Sequence, residues 1–177
     1  TPGLRDLQNR GHIDNLVKSL HKVRKNSDYL TTKPILFKIA PDIDDEQARD
    51  IALSSLALGI DGLIISNSTI ERPSSLQSAY KNEVGGLSGK PLFVKSNLLL
   101  KKMYNLTNGQ IPLIGVGGIS SGIDCYEKIK AGASLIQLYT ALVYQGPNII
   151  SEMKRELLSC LATDGYKSIK EAVGKEV

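Results

Sequence analysis

The chain has 177 residues, enough for one domain with a real hydrophobic core. Hydrophobic residues make up 41% and charged residues 23%, and 22 Lys+Arg against 18 Asp+Glu leave a net charge of only +4. With aromatics at 5%, the chain lacks the basic stripe and stacking platforms that a nucleic-acid surface needs, so no nucleic-acid partner is expected.

In chain order, Thr1 to Gln8 combine Pro and Gly and read as a loop. Ile13, Leu16, Val17, Leu20 and Val23 recur at helical spacing up to Lys25, and the run Lys22 to Lys25 reads as a solvated face of that helix. After a polar connection, Pro34 opens a first strand, Ile35 to Ala40. It is apolar on both faces except at Lys38, as a buried parallel strand would be. Asp42 or Asp44 caps the next helix, whose stripe is Ala48, Ile51, Ala52, Ser55 and Leu56, and Gly59 ends it.

A second strand, Gly62 to Ser66, runs into Asn67-Ser68-Thr69. A long polar insertion follows, from Glu71 to about Pro91, and a loop of that length in a compact domain is usually functional or mobile. A helix over roughly Val94 to Tyr104 leads to a third strand from Ile111 to Val116. That strand ends in Gly115-Val116-Gly117-Gly118, with Ser120 or Ser121 placed to cap the next helix. Adjacent glycines let backbone N–H groups approach an anion, and a capped helix start beyond them suggests a phosphate grip. The fourth strand, Leu135 to Leu138, ends in a polar turn at Tyr139-Thr140. A helix from Ile149 to Leu161 and a short amphipathic tail, Ile169 to Val173, close the chain.

A helix followed by four strand–helix units predicts an α/β fold with a parallel sheet. Four strands cannot close a (β/α)8 barrel. The choice is an open flavodoxin-like sheet or the second half of a barrel, and the phosphate pattern after the last two strands favours the half-barrel.

Polar groups at the strand ends would converge on one face. They are Lys38, Ser66-Asn67-Ser68, Gly117-Gly118 and Tyr139-Thr140. Lys38 is the sharpest, because a lysine inside an apolar strand needs an anionic or hydrogen-bonding partner. Its bland alternative is a strand-end lysine reaching solvent. The serines and glycines have the alternative of plain turn chemistry. The Gly115-x-Gly117-x-x-Ser120 pattern fails the dinucleotide fingerprint at its third glycine. Cys125 and Cys160 lie far apart in helical patterns and read as free, buried or half-buried thiols. His12 and His21 have no ligand spacing, and no metal site is expected.

The segments FKIAPD (Phe37 to Asp42), IISNSTIERP (Ile64 to Pro73), GGLSGKPL (Gly85 to Leu92), IGVGGISSG (Ile114 to Gly122) and AGASLIQLYTAL (Ala131 to Leu142) stand in one order and spacing. In that order they resemble the dihydroorotate dehydrogenases, most closely class 2, the membrane-associated, quinone-using form. TPGLRDLQ at the start and KREL (Lys154 to Leu157) near the end fit as well, so the resemblance covers essentially the whole chain.

The resemblance implies that residues 1–177 are the C-terminal half of a single (β/α)8, or TIM, barrel that holds FMN. It implies oxidation of dihydroorotate to orotate in pyrimidine biosynthesis, with electrons passed to ubiquinone. By resemblance, Lys38 meets the pyrimidine edge of the flavin, and Ser66, Ser88, Gly89, Gly117, Gly118, Tyr139 and Thr140 contact FMN. Asn67 and Ser68 bind substrate. The family more commonly has threonine where Ser66 and Ser68 stand, a change that keeps the hydroxyl.

Thr1 matches the lid-loop threonine that contacts substrate and helps relay the abstracted proton. It would be the last residue of a Ser-Pro-Asn-Thr run whose serine is the base, so the base, the first half-barrel and the membrane-attaching quinone entrance are expected upstream. The location implied is the mitochondrial inner membrane. Two other function classes fit the residues alone: a flavin-free phosphate-binding lyase or isomerase with Lys38 as a Schiff-base or general-acid lysine, and a flavodoxin-like binding module.

Overall fold

The structure, a computed structural model, describes residues 10–177. The opening TPGLRDLQ segment, Thr1 included, lies outside the described residues. Helix α1 (Arg10–Lys25) precedes four successive units: β1 (Leu36–Ile39) with α2 (Asp45–Leu58), β2 (Gly62–Ile65) with α3 (Phe93–Thr107), β3 (Leu113–Val116) with α4 (Gly122–Lys130), and β4 (Ala133–Gln137) with α5 (Thr140–Gln145). Helices α6 (Ile149–Thr163) and α7 (Ile169–Ala172) follow. A 3-10 turn at Lys90–Leu92 leads into α3. That turn and α5 stand where the sequence predicts a loop and a polar turn.

Local chemistry sets most boundaries. Asp44, not Asp42, caps α2: its side chain accepts from the Gln47 N–H while Gln47 reaches back to the Asp44 N–H, a complete capping box. Gly59 closes the same helix in the left-handed region, with φ 66°. Ser121 caps α4 by accepting from the Asp124 N–H at 3.1 Å.

The four strands are parallel and lie in sequential order, β1-β2-β3-β4. A flavodoxin-like sheet would place a later strand on the far side of the first. One face of the sheet, with Ile39, Leu63, Ile65, Leu113 and Ala133, packs against Ile13 and Val17 of α1, Ile51 of α2 and Leu100 and Met103 of α3 as one core. Residues of the opposite face stand at the alternate register positions. Among them, Leu36 is 41% and Leu135 63% exposed, and Lys38 and Gln137 are exposed too. Helices on one face of a sequentially ordered parallel sheet make half of a barrel wall. The expectation that the first strand is buried on both faces is therefore wrong. Among the described residues β1 pairs with β2 alone, and Leu36 and Lys38 on its inward face are exposed.

A polar chain ties the ends opposite the site. Arg24 donates to Asp61 at 2.7 Å, and Asp61 also accepts the Ile35 N–H at 2.7 Å. Arg24 further donates to His21 Nδ1 at 3.0 Å, which leaves His21 Nε2 to donate to the Leu58 carbonyl at 2.8 Å. Arg24 thus departs from the solvated face expected of it, and His21 has a structural role. The Ile35 N–H and then Arg24 hold the Asp61 carboxyl below its ordinary range. A carboxyl depressed in the folded state adds stability above its unfolded pKa, about 3.9, and loses that contribution as pH falls through the folded value. Asp61→Asn is expected to cost about 1 kcal/mol at pH 7, discounted for the partial exposure of the pair. The difference from wild type should shrink below about pH 4 in urea denaturation curves.

Candidate functional site

Ten strand-end and loop residues come together in one pocket at the C-terminal end of the sheet: Lys38, Ser66, Asn67, Ser68, Ser88, Gly89, Gly117, Gly118, Tyr139 and Thr140. Leu92, Val116, Ile119 and Leu138 complete its wall. The pocket has a cavity volume of about 180 Å³, below the roughly 300–1,000 Å³ of complete small-molecule sites. The pocket gathers contributions from all four strand ends, which is what parallel order in register makes possible.

Lys38, at the end of β1, is exposed and makes no hydrogen bond or ion pair among the described residues. The expectation of a buried lysine is corrected here, because the inward face of β1 is open. Beyond β2, the Ser66 N–H donates to the Val116 carbonyl at 3.0 Å and the Asn67 N–H to the Ile39 carbonyl at 2.9 Å. These bonds lock the turn onto both neighbouring strands. Ser66 is 2% exposed and its hydroxyl donates to the Asn67 carbonyl at 3.0 Å, while Asn67 Oδ1 accepts the Ser68 N–H at 2.9 Å.

The glycines form the other side of the pocket. Gly89, Gly117 and Gly118 have φ of 80°, 117° and 73°, a region costly for residues with a Cβ. A Cβ on Gly118 would stand 2.6 Å from the backbone N and Cα of Phe93, the first residue of α3. The Thr140 hydroxyl donates to Ser88 Oγ at 3.1 Å, joining the β4 end to the insertion.

The start of α4 does not supply the free N–H groups that the sequence suggested. The Gly122 N–H donates to Glu156 Oε2 of α6 at 2.5 Å, and the Asp124 N–H is taken by Ser121. Ser120 turns both its N–H and its hydroxyl to Asp124 Oδ2, at 2.7 and 2.9 Å. A carboxylate of the protein itself occupies the anion position of this helix. The pocket is lined instead by the glycine turn before it, together with Ser88, Gly89 and Thr140.

The long insertion is held by its own contacts. Arg72 donates to the carbonyls of Ile70, Glu71, Lys81, Glu83 and Gly85. At its base Thr69 donates to Asp42, which also accepts the Ile70 N–H at 3.0 Å, and Lys95 bridges Asp42 and Glu71. Thr69 and Leu87 exchange both backbone bonds, at 3.0 and 2.7 Å. This delivers Ser88 and Gly89 to the pocket.

Lys128 escaped the sequence reading. It is fully buried, and its ammonium donates to Ser96 Oγ at 2.8 Å and Asn97 Oδ1 at 2.7 Å. The available signal was its place three residues after Cys125 on the apolar stripe of α4. The cysteines are free, Cys125 buried and Cys160 half-buried. Burial pushes the Cys125 thiol up to about 11, with Asp124 and Glu156 adding to the effect, so it is inert at neutral pH. Among the described residues no cluster could hold a metal ion, and no helix is long and apolar enough to cross a membrane.

The family model described as dihydroorotate dehydrogenase matches residues 1–161. The chain is 49% identical over 179 residues to dihydroorotate dehydrogenase (quinone) of Xanthobacter autotrophicus, covering 100% of this chain and 50% of that protein. It is 52% identical over 179 residues to the mitochondrial dihydroorotate dehydrogenase (quinone) of Oryza sativa, covering 99% of this chain and 38% of that one. Among solved structures it resembles DHODH from Eimeria tenella in complex with ferulenol, with a TM-score of 0.91 and 41% identity over 99% of this chain and 51% of that chain. The chain spans about half the length of the curated relatives it matches or less.

Proposed function

The chain belongs to the dihydroorotate dehydrogenase family, and we propose that residues 1–177 are the C-terminal half of one FMN-binding (β/α)8 barrel that oxidises dihydroorotate to orotate and passes the electrons to a quinone. The observation that carries this is the convergence of Lys38, Ser66, Asn67, Ser68, Ser88, Gly89, Gly117, Gly118, Tyr139 and Thr140 on one pocket. The inward face of the sheet, exposed at Leu36, Lys38, Leu135 and Gln137, is the surface that four further strands would cover. These would close the barrel and complete the site.

The pocket residues fit FMN. β1 and β3 are two strand spacings apart, roughly 10 Å at the usual 4.7–4.9 Å. That separation puts a cation at one side of the pocket and side-chain-free glycine backbone with two hydroxyls at the other. Such a layout suits a polar ring system carrying an anionic tail. When bound, FMN supplies the acceptor for the two electrons removed from the substrate C–C bond.

The residues of the chain do the rest. The Lys38 ammonium holds positive charge at the ring edge, where negative charge develops, as a preorganised electrostatic group. Asn67 and Ser68 orient the substrate, with the Asn67 amide already fixed by the Ser68 N–H. Gly89, Gly117, Gly118 and Thr140 hold the phosphate end. Thr1, outside the described residues, keeps the part in relaying the abstracted proton that the family resemblance implies.

Ubiquinone as acceptor and attachment to the mitochondrial inner membrane through an upstream segment belong to the same reading, supported by mitochondrial relatives from rice and mouse. Bacterial relatives match at similar identity.

The complete protein, purified, is expected to be yellow, to lose its flavin absorbance when dihydroorotate is added without oxygen, and to regain it with a ubiquinone analogue while orotate accumulates. A colourless protein that takes up no FMN, or a flavoprotein that forms no orotate, would sink the assignment. Reoxidation by fumarate but not by quinone would overturn the acceptor alone.

A further inference from the structure

Lys128 is a full-length cationic side chain with no exposed surface, and none of the residues assigned above uses it. An ammonium taken out of water costs several kcal/mol unless its partners compensate. Those partners are neutral: Ser96 Oγ at 2.8 Å, Asn97 Oδ1 at 2.7 Å and the face of Phe93, with its ring centre 4.9 Å away. All three belong to the first turn and a half of α3. The charged or titratable groups acting on it are Asp124, Cys125 and Glu127, all on its own helix. Burial outweighs them and brings the ammonium down to about 7. A lysine held this way is poor packing for its own sake, since a neutral side chain of the same length would avoid the cost.

What Lys128 touches points to a purpose. The Ser96 hydroxyl sits between it and the Gly117 carbonyl, with Oγ 3.2 Å from that oxygen and 3.0 Å from the Phe93 carbonyl. The aliphatic stem of Lys128 runs under the same turn: a Cβ on Gly115 would meet Lys128 Cδ at 3.0 Å. Phe93, under the ammonium, is the residue whose backbone leaves Gly118 no room for a side chain. Lys128 therefore contacts both parts of the glycine cradle, the β3 turn and the start of α3 that braces it. It does so from behind, outside the pocket lining.

We propose that Lys128 is a positioning residue for the phosphate end of the flavin site: through Ser96 it fixes the Gly117–Gly118 turn against the start of α3, and it places a buried positive charge behind that turn. The inference rests on the reading that this pocket takes FMN by its phosphate. A dianion bound at the turn would in exchange favour the charged form of the lysine, so the cost of burying it is offset when the site is filled.

The test uses the complete apoprotein and two probes, FMN and riboflavin, which differ only in the phosphate. Dissociation constants are measured for wild type, Lys128→Met and Ser96→Ala. Lys128→Met is expected to weaken FMN about tenfold or more, the loss of one charge-assisted interaction, and to leave riboflavin within about twofold. Ser96→Ala keeps the lysine and should move the FMN to riboflavin ratio in the same direction by a smaller factor, so the inference stays testable if Lys128→Met fails to fold. A purely structural lysine would weaken both flavins equally and leave the ratio unchanged in each soluble variant, which overturns the inference. If wild type binds FMN no tighter than riboflavin, the phosphate reading of the pocket falls, and this inference with it. If wild type discriminates and the variants discriminate equally, only the role of Lys128 falls.

Discussion

Replacing Lys38 with methionine in the complete enzyme is expected to slow flavin reduction by dihydroorotate on the order of 10²-fold or more. Lys38 lines the pocket from the end of β1, and its charge is not spent on any ion pair observed among the described residues. An ammonium in that position is available to meet negative charge developing at the edge of the ring system. Four additional strands would remove the solvent that bathes it in this chain, and with it much of the screening. Methionine preserves length and removes the charge. The measurement is anaerobic stopped-flow reduction, paired with the midpoint potential of the bound flavin, which should fall because the reduced, negatively charged form loses its counter-charge. Dihydroorotate affinity should change far less than the rate, since the charge develops on the way to the transition state. An unchanged rate and potential would leave Lys38 a strand-end lysine facing solvent.

Gly118→Val is expected to yield largely apo, colourless protein. The structure supplies a cause different from simple crowding of the ligand. At φ 73° the residue sits where a β-branched side chain is strained. A Cβ there would lie 2.6 Å from the Phe93 N and Cα, which are backbone atoms that cannot rotate away. The turn and the start of α3 must separate, and the cradle they form opens. Flavin content and thermal stability should therefore drop together. Gly118→Ala should show both effects in weaker form. Wild-type flavin content in Gly118→Val would mean that this turn does not build the grip.

Most of the site was legible in the sequence because its residues stand at strand ends. In parallel βα units, the last residues of every strand converge on one face. Locating Lys38, Ser66-Asn67-Ser68, Gly117-Gly118 and Tyr139-Thr140 at strand ends thus predicted that they would share a pocket, and they do. Ser88 and Gly89 were named from the resemblance to a known family. Their delivery to the pocket depends on Arg72 gathering five carbonyls and on the Thr69–Leu87 pairing, which no local pattern announces.

The sequence by itself determined the order of the four strand–helix units, the parallel class and the helix end at Gly59, and it narrowed two helix starts to Asp42 or Asp44 and to Ser120 or Ser121. These features depend on residues within a few positions of one another: periodicity, a cap, a glycine able to take positive φ. Tertiary structure alone decided which groups lost water and which partners they met. Leu36 and Lys38 read as parts of a buried strand, yet the inward face of the sheet is open in this chain. The start of α4 read as a vacant anion site, yet Glu156, 34 residues away, fills it. Arg24 read as solvated, yet it pairs with Asp61 at a separation of 37 residues. Lys128 drew no reading from the sequence, yet Ser96 and Asn97, 32 and 31 residues upstream, hold it in the interior. Desolvation and long-range pairing depend on where distant segments come to lie, and a sequence pattern a few residues long carries no record of that.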